Sequence, residues 1–146
     1  MVSLVLVAHS SPLLEALRQM IDDSVGRAPT VEVAGGTDDG RFGTSLRRVR
    51  EALTAADGPD GTIVVYDSGS AWLTISFAMD ALSPAQRARV VVSDAPLVEG
   101  ALVAAARAGQ NAPLAEVVDA ASRALETEKR PIDESPDEAL SGTGTD

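Results

Sequence analysis

The sequence predicts an α/β protein in which a mostly parallel sheet carries helices on both faces. Short runs of apolar, β-favouring residues alternate with longer segments whose apolar residues recur at helical spacing, the pattern of repeated strand–helix units. Only 3% of the 146 residues are aromatic, so Val, Leu, Ile and Ala must fill the core. That composition suits layers of sheet and helix.

The first half of the chain contains two strand–helix units. An apolar run ends at His9 and forms strand one, and Ser10 or Ser11 can cap a helix over 12–25 that has Pro12 at its first position. Strand two covers 30–34. Four glycines in residues 35–45 exclude a regular element there, and a second helix then runs to about residue 56. The residues expected to face the core are Leu13, Leu17, Met20 or Ile21, and Val25, then Leu46, Val49 and Leu53.

The second half repeats the pattern. Residues 62–66 are an uninterrupted apolar strand that ends at Asp67, and Ser70 can cap a third helix through about residue 82. A strand over 89–93 is followed by Asp94, an expected cap for a fourth helix over 97–108, and a fifth helix ends near residue 126. The residues expected to face the core are Ile75, Ala78, Met79 and Leu82, then Leu114, Val117, Val118, Ala121 and Leu125.

Composition excludes several classes of function. A formal net charge of −10 argues against nucleic acid as a partner, and the lack of cysteine excludes disulfides and thiolate metal sites. No apolar run is long enough for a membrane span, and no signal peptide is recognisable, so a cytoplasmic location is expected. We expect one domain over 1–126 and an acidic, disordered tail over 127–146.

The order of the elements predicts where chemistry takes place. Strands that alternate with helices in this way favour a flavodoxin-like sheet of strand order 2-1-3-4. The chain reverses direction across such a sheet between strands one and three, and ligands bind at that switch point, outside the carboxyl ends of the strands. His9 closes strand one and Asp67 closes strand three. We therefore expect these two side chains to face each other across one crevice.

A histidine paired with a carboxylate suits nucleophilic chemistry. Asp67 can hold one ring nitrogen of His9 and leave the other free to attack, while the amides and hydroxyls of Ser10 and Ser11 favour a bound anion. A phosphorylated histidine fits that arrangement. The competing interpretation is a structural histidine with an ordinary hydrogen bond. Asp38 and Asp39 are more typical of a solvated turn than of a metal site, so no metal or cofactor is expected.

Four segments resemble a known family. They are LVLVAHSSPLLEAL, AGGTDDGRFGTSL, VVYDSGSAW and VSDAPLVEGALVAA, which occur in the family's order within residues 1–125. The chain resembles the phosphotransferase subunit of phosphoenolpyruvate-dependent dihydroxyacetone kinase, an enzyme IIA domain of the mannose type in the sugar phosphotransferase system. Relatives often have leucine after the aspartate where this chain has Ser68, but Asp67 and Ser70 remain in place.

The resemblance implies a chain of phosphoryl transfers. His9 would accept a phosphoryl group from the histidine-containing phosphocarrier protein and pass it to ADP held on the kinase subunit. That subunit would phosphorylate dihydroxyacetone on a third subunit, so the whole system is a phosphoenolpyruvate–glycerone phosphotransferase. Asp67 would orient His9. The resemblance further implies a homodimer, and neither a metal nor a nucleotide is needed in this chain.

Because donor and acceptor are both proteins, the rim around His9 should also be an interface. We expect residues 35–45 and 68–72 there, with Ser70 beside the phosphate. The rim residues expected from the glycine-rich loop are Gly36, Thr37, Gly40 and Thr44. Two alternatives remain, a mannose-type enzyme IIA for sugar uptake and a non-catalytic regulatory module of the same fold.

Overall fold

The computed structural model describes residues 1–126 and 129. Four parallel strands form one sheet in the order β2-β1-β3-β4, which confirms the predicted fold class and strand order. The strands are β1 (Ser3–Ala8), β2 (Val31–Gly35), β3 (Thr62–Tyr66) and β4 (Val90–Ser93). The strand β1 lies between β2 and β3 and is buried along its whole length. Its carboxyl end therefore lies near the middle of the edge formed by the ends of the strands.

Helices cover both faces of the sheet. They are α1 (Ser11–Ser24), α2 (Leu46–Ala56), α3 (Gly69–Asp80), α4 (Pro84–Arg87), α5 (Leu97–Gly109) and α6 (Leu114–Ser122), followed by a 3₁₀ turn over Ala124–Glu126. The helices α1, α5 and α6 pack on one face, and α2 and α3 pack on the other. Alternate β1 residues serve the two layers, because Leu4 and Leu6 face the first and Val5 and Val7 face the second.

The helix α4 was not expected from the sequence. It is a single turn that begins with Pro84 after Ser83, whose hydroxyl accepts a hydrogen bond from the Gln86 amide. None of its residues is buried, so it produces no apolar periodicity for a sequence pattern to reveal.

Some residues expected in the core lie at the surface instead. Leu13 and Met20 are exposed, and their neighbours Leu14 and Ile21 are fully buried. Leu46 is also partly exposed, because Ala52 and Ala56 join Val49 and Leu53 on the inner face of α2. Leu125 is exposed because α6 ends at Ser122 and the chain then tightens into the 3₁₀ turn.

No helix in the described part of the chain is long and apolar enough to cross a membrane. The acidic tail expected over 127–146 lies outside the described residues, apart from Lys129. The ammonium of Lys129 lies 3.1 Å from Oε1 of Glu99 at the start of α5.

Candidate active site

The ends of β1 and β3 bring His9 and Asp67 into direct contact. The two strands pair in register, with Val7 opposite Tyr66, and the Asp67 amide donates to the Val7 carbonyl. Oδ2 of Asp67 accepts the backbone N–H of His9 at 3.0 Å, and both carboxylate oxygens lie 3.0 Å from Nδ1 of the imidazole. The carboxylate therefore fixes both the backbone and the ring of His9.

The second ring nitrogen of His9 contacts Ser70. Its Nε2 lies 2.7 Å from the Ser70 hydroxyl oxygen. An ionised carboxylate can only accept, so Nδ1 carries the ring hydrogen, and Nε2 accepts the hydroxyl hydrogen of Ser70 through its lone pair. This tautomer leaves Nε2 as the nucleophilic nitrogen once the serine turns away.

Ser70 was expected to cap the third helix, and that expectation is wrong. The cap position is Ser68, whose side chain makes no capping hydrogen bond and whose oxygen lies 3.4 Å from Nδ1 of His9. Ser70 sits inside the first turn of α3, and its hydroxyl is directed at the imidazole instead of at the helix backbone. Both serines of this turn therefore belong to the surroundings of His9.

Phe42 stacks on the His9 ring, and sequence reasoning missed it. The two ring centroids are 5.1 Å apart with an angle of 29° between the planes. The imidazole is only 11% exposed, whereas Phe42 is 82% exposed. Phe42 lies in the glycine-rich loop, and the only sequence signal for its role is a large apolar side chain in a segment of glycines and aspartates.

A small cavity of about 120 Å³ lies beside His9. Its lining consists of His9, Ser10, Ser11, Pro12, Gly40, Arg41 and Phe42. The Ser10 hydroxyl oxygen caps α1 by accepting a hydrogen bond from the Leu13 amide at 3.4 Å. Pro12 has no N–H and the Leu13 amide is capped, so the Ser11 amide is the first-turn donor left for an anion, and the helix dipole favours negative charge at this position.

The glycine-rich loop is fastened directly to the end of β1. The amide of Gly36 donates to the Ala8 carbonyl at 3.3 Å, and the amide of Gly43 donates to the His9 carbonyl at 3.1 Å. Within the loop, the Thr37 amide donates to the Arg41 carbonyl, and the Thr37 hydroxyl accepts a hydrogen bond from the Arg41 amide. The loop therefore holds Phe42 against the imidazole.

The four residues expected at the rim of the site contribute to the glycine-rich loop in different ways. Gly36 and Gly40 adopt positive φ angles of 77° and 82°, which suit glycine, and Gly40 also lines the cavity. Thr37 stabilises the loop through its two hydrogen bonds to the backbone of Arg41. The hydroxyl of Thr44 lies 2.7 Å from that of Thr74, which ties the loop to α3.

Both aspartates of the glycine-rich loop contact neighbouring side chains of the same chain. Asp38 accepts the hydroxyl of Ser45, and Asp39 pairs with the guanidinium of Arg41 at 2.7 Å. The hydrogen bond from Thr37, followed by that from Arg41, lowers the pKa of Asp39. No group of three or more potential metal ligands occurs within residues 1–126 and 129.

Asp94, expected to cap the fourth helix, has a different partner. The cap position of α5 is Pro96, and the Asp94 carboxylate accepts the phenol hydrogen of Tyr66 at 2.6 Å. This hydrogen bond, with a smaller effect of burial, raises the pKa of Tyr66. The contact joins the carboxyl ends of β3 and β4 beside the site.

Comparisons with known proteins agree on one family. The model of the PTS system fructose IIA component (EIIA-man) matches residues 3–121. The chain is 36% identical over 105 residues to the phosphoryl donor subunit DhaM of PEP-dependent dihydroxyacetone kinase 2 from Listeria innocua, covering 72% of this chain and 84% of that protein. It is also 36% identical over 138 residues to the phosphoryl donor subunit DhaM from Escherichia coli, of which it spans only 29%.

A solved structure supports the same fold. The crystal structure of a protein of unknown function, EF1359, superposes with a TM-score of 0.74 at 27% sequence identity. The match covers 84% of this chain and 95% of that one, so the two molecules share the same fold.

Proposed function

The chain belongs to the EIIA-man family, and we propose that it is the phosphocarrier subunit of a phosphoenolpyruvate-dependent dihydroxyacetone kinase. The proposal rests above all on His9, whose Nδ1 is held by Asp67 while Nε2 meets only the Ser70 hydroxyl. Its relatives in Listeria innocua and Escherichia coli bear the name of phosphoryl donor subunits of that kinase. His9 is the only histidine in the chain, so no other imidazole competes for the role.

In the first step, the lone pair of Nε2 attacks the phosphorus carried by the histidine phosphocarrier protein. The P–N bond to the donor breaks, its electron pair stays on the donor's ring nitrogen, and a new P–N bond forms on His9. Positive charge develops on the His9 ring during this transfer. The carboxylate of Asp67, 3.0 Å from Nδ1, stabilises that charge and keeps the ring in place.

In the second step, an oxygen of the terminal phosphate of ADP on the kinase subunit attacks the phosphorus on His9. The P–N bond breaks and its electron pair returns to Nε2, which regenerates the starting tautomer. Proteins accelerate such transfers by positioning and electrostatics. Here the Ser11 amide at the start of α1, together with the Ser70 hydroxyl, would donate hydrogen bonds to the phosphoryl oxygens. The chain itself needs neither a metal nor a nucleotide.

The partners of this chain are part of the proposal. They are the histidine phosphocarrier protein as donor, the ADP-bound kinase subunit as acceptor, the dihydroxyacetone-binding subunit, and a second copy of this chain in a homodimer. The test is reconstitution with phosphoenolpyruvate, enzyme I, the phosphocarrier protein and both kinase subunits. We expect dihydroxyacetone phosphate to form with the wild-type chain and not with His9→Gln.

A second function, sugar uptake, has a specific observation in its favour. The family model that matches residues 3–121 is described as a fructose IIA component. A phosphorylated chain that passes its group to a sugar permease subunit, and never to the ADP-bound kinase subunit, would establish this alternative. The chemistry at His9 is the same in both cases, so only the acceptor distinguishes them.

A further inference from the structure

The cavity beside His9 has a positively charged side chain in its lining. Of the described residues that border it, Arg41 is the one whose side chain is always cationic. The Arg41 side chain is 82% exposed, so it can turn toward a new partner. A phosphoryl group on His9 would bring about two negative charges to this cavity at neutral pH. The charge of Arg41 therefore has the sign that such a group requires.

The backbone of Arg41 lies close to the Ser11 amide. A Cβ on Gly36 would lie 3.0 Å from the Arg41 carbonyl oxygen and 4.0 Å from the Ser11 nitrogen, so the two backbones flank the same glycine. Two hydrogen bonds to Thr37 hold the Arg41 backbone in this position. The long side chain of Arg41 therefore starts beside the amide that would donate to a phosphoryl oxygen.

In the resting structure the Arg41 guanidinium is bound to Asp39. Its Nε and Nη2 lie 2.8 Å and 2.7 Å from Oδ2 of that carboxylate. Both side chains are more than half exposed, and exposed ion pairs contribute little to stability. The other carboxylate oxygen accepts the Thr37 hydroxyl, so Asp39 keeps a hydrogen bond when Arg41 leaves. A phosphoryl group can therefore compete for the guanidinium, which binds phosphate oxygens in a bidentate manner.

Two further arginines approach the glycine-rich loop from α2, and both have other roles. The guanidinium of Arg48 donates to the Gly35 carbonyl at 2.9 Å and to the Asp38 carbonyl at 3.4 Å, so it fastens the loop to α2. Arg47 lies 3.4 Å from the Asp38 carboxylate. The described lining of the cavity includes neither of them. Arg41 is therefore the arginine best placed for a group on His9.

The donors already assigned to the phosphoryl group are both neutral. The Ser11 amide and the Ser70 hydroxyl supply hydrogen bonds and no charge. The carboxylate of Asp67, by contrast, places a negative charge 3.0 Å from the same imidazole ring. Because like charges repel, a phosphoryl dianion near this carboxylate is unfavourable unless a cation neutralises it. The phosphorylated site therefore requires a positive charge that these three groups do not supply.

We propose that Arg41 is a phosphate-binding residue of this site. Its guanidinium leaves Asp39 and binds the phosphoryl group on Nε2 of His9, and it returns to Asp39 when the group passes on. The inference rests on the proposed function, in which His9 carries that group. It gives the glycine-rich loop a direct contact with the transferred group, in addition to the hydrogen bonds that fasten the loop to the end of β1.

The test measures the charge around the phosphoryl group directly. Phosphoramidate is a small donor whose P–N bond breaks as Nε2 attacks and ammonia leaves, and His9 is the only histidine that it can label. ³¹P NMR of the labelled chain then follows the titration of the phosphoryl oxygens. A cation in contact with these oxygens lowers their pKa, so we expect the midpoint to rise by about one pH unit in Arg41→Gln. Asp67 is the same in every sample.

Arg47→Gln is the matched control. It removes the same charge from a side chain that is 55% exposed and pairs with Asp38 of the same loop, but that does not border the cavity. We expect its midpoint to equal that of the wild-type chain, because a charge out of contact is screened by salt. Thermal melts by circular dichroism verify that both variants are folded, which is expected because both side chains are exposed.

Replacement of the resting partner tests the exchange. Asp39→Asn weakens the hold on the Arg41 guanidinium, so we expect the midpoint of the phosphoryl titration to fall below that of the wild-type chain. In the Arg41→Gln background the same substitution should have no further effect, because the guanidinium through which it acts is gone. An equal effect in both backgrounds would show that Asp39 acts independently of Arg41, and the proposed exchange would be wrong.

Failure of the inference is distinguishable from failure of the proposed function. An unchanged midpoint in Arg41→Gln, or an equal rise in Arg47→Gln, would overturn the role of Arg41 and leave the role of His9 intact. The wild-type chain is also incubated with the phosphorylated phosphocarrier protein. If that protein did not label His9, the proposed function would fail, and the inference with it.

Discussion

At the scale of single residues, both ring nitrogens of His9 have a hydrogen-bond partner of defined direction. Asp67 can only accept, so it selects the tautomer with hydrogen on Nδ1, and Ser70 donates to Nε2. One residue thus fixes the orientation of the ring, and the other covers the lone pair of Nε2. Each contact can be removed separately.

Replacement of Asp67 by asparagine tests the first contact. The amide keeps the shape of the carboxylate but loses its charge and can donate a hydrogen to Nδ1, which favours the tautomer with hydrogen on Nε2. We expect the rate of His9 phosphorylation to fall on the order of a hundredfold. ¹⁵N NMR of the ring should report the change of tautomer. A variant with the wild-type tautomer and rate would contradict the role assigned to Asp67.

Replacement of Ser70 by alanine tests the second contact. The serine hydroxyl donates to Nε2 in the resting state. Under the proposed function, we expect it to donate to a phosphoryl oxygen afterwards. We expect Ser70→Ala to become phosphorylated still, but phospho-His9 should hydrolyse about fivefold to tenfold faster, since one hydrogen bond to a charged group is lost. Ser76→Ala, on the same helix but bonded to the Trp72 carbonyl, is the control.

The Tyr66–Asp94 pair predicts a pH effect. The hydrogen bond to Asp94, followed by burial, raises the pKa of Tyr66, so its phenol should titrate above the usual value of about 10 in an ultraviolet absorbance titration. Because the folded state binds this proton more tightly, the stabilisation is complete below about pH 10 and is lost as pH rises through the raised pKa. Asp94→Asn should move the midpoint back toward the usual value.

At the scale of elements, close approach of β2 to α1 positions the active-site helix. A Cβ on Gly35 would lie 2.7 Å from Cα of Ser11 and 2.9 Å from its amide nitrogen. The end of β2 therefore packs directly against the first turn of α1, at the Ser11 amide. Only glycine fits between these two backbones.

Gly35→Ala tests this packing. The added methyl group must displace backbone, so we expect the variant to lose about 1–3 kcal/mol of unfolding free energy, as for overpacking elsewhere. Gly26→Ala is the control because nothing lies within 4 Å of a Cβ there. Urea unfolding measures both. Equal stabilities of the two variants would show that β2 and α1 can separate without cost.

The sequence predicted which segments form strands and helices better than it predicted which residues of each helix face the core. Apolar periodicity located every strand and each helix longer than one turn, because burial of one face imposes that spacing. It did not separate Leu13 from Leu14, since a shift of one residue at the start of α1 rotates the buried stripe by about 100°. The cap of α3 was predicted at Ser70 and lies at Ser68, because the side chains of both serines contact His9 instead of the helix backbone.

At the scale of the whole molecule, strand order alone brought His9 and Asp67 together. Their separation of 58 residues hides the contact in the sequence, but the switch point of a 2-1-3-4 sheet predicts it. Phe42 was not predictable in the same way, because its place over the imidazole depends on the path of a loop. That path is set by hydrogen bonds from Gly36 and Gly43 to β1 and His9, which follow no periodicity.

Transfer of a phosphoryl group through His9 is the central claim, and intact mass tests it most directly. The wild-type chain and His9→Gln are incubated with phosphoenolpyruvate, enzyme I and the histidine phosphocarrier protein, and each is weighed before and after mild acid. We predict that the wild type alone gains the mass of one phosphoryl group and loses it in acid, as a P–N bond requires. No gain from a competent donor, or an equal gain in His9→Gln, would contradict the account.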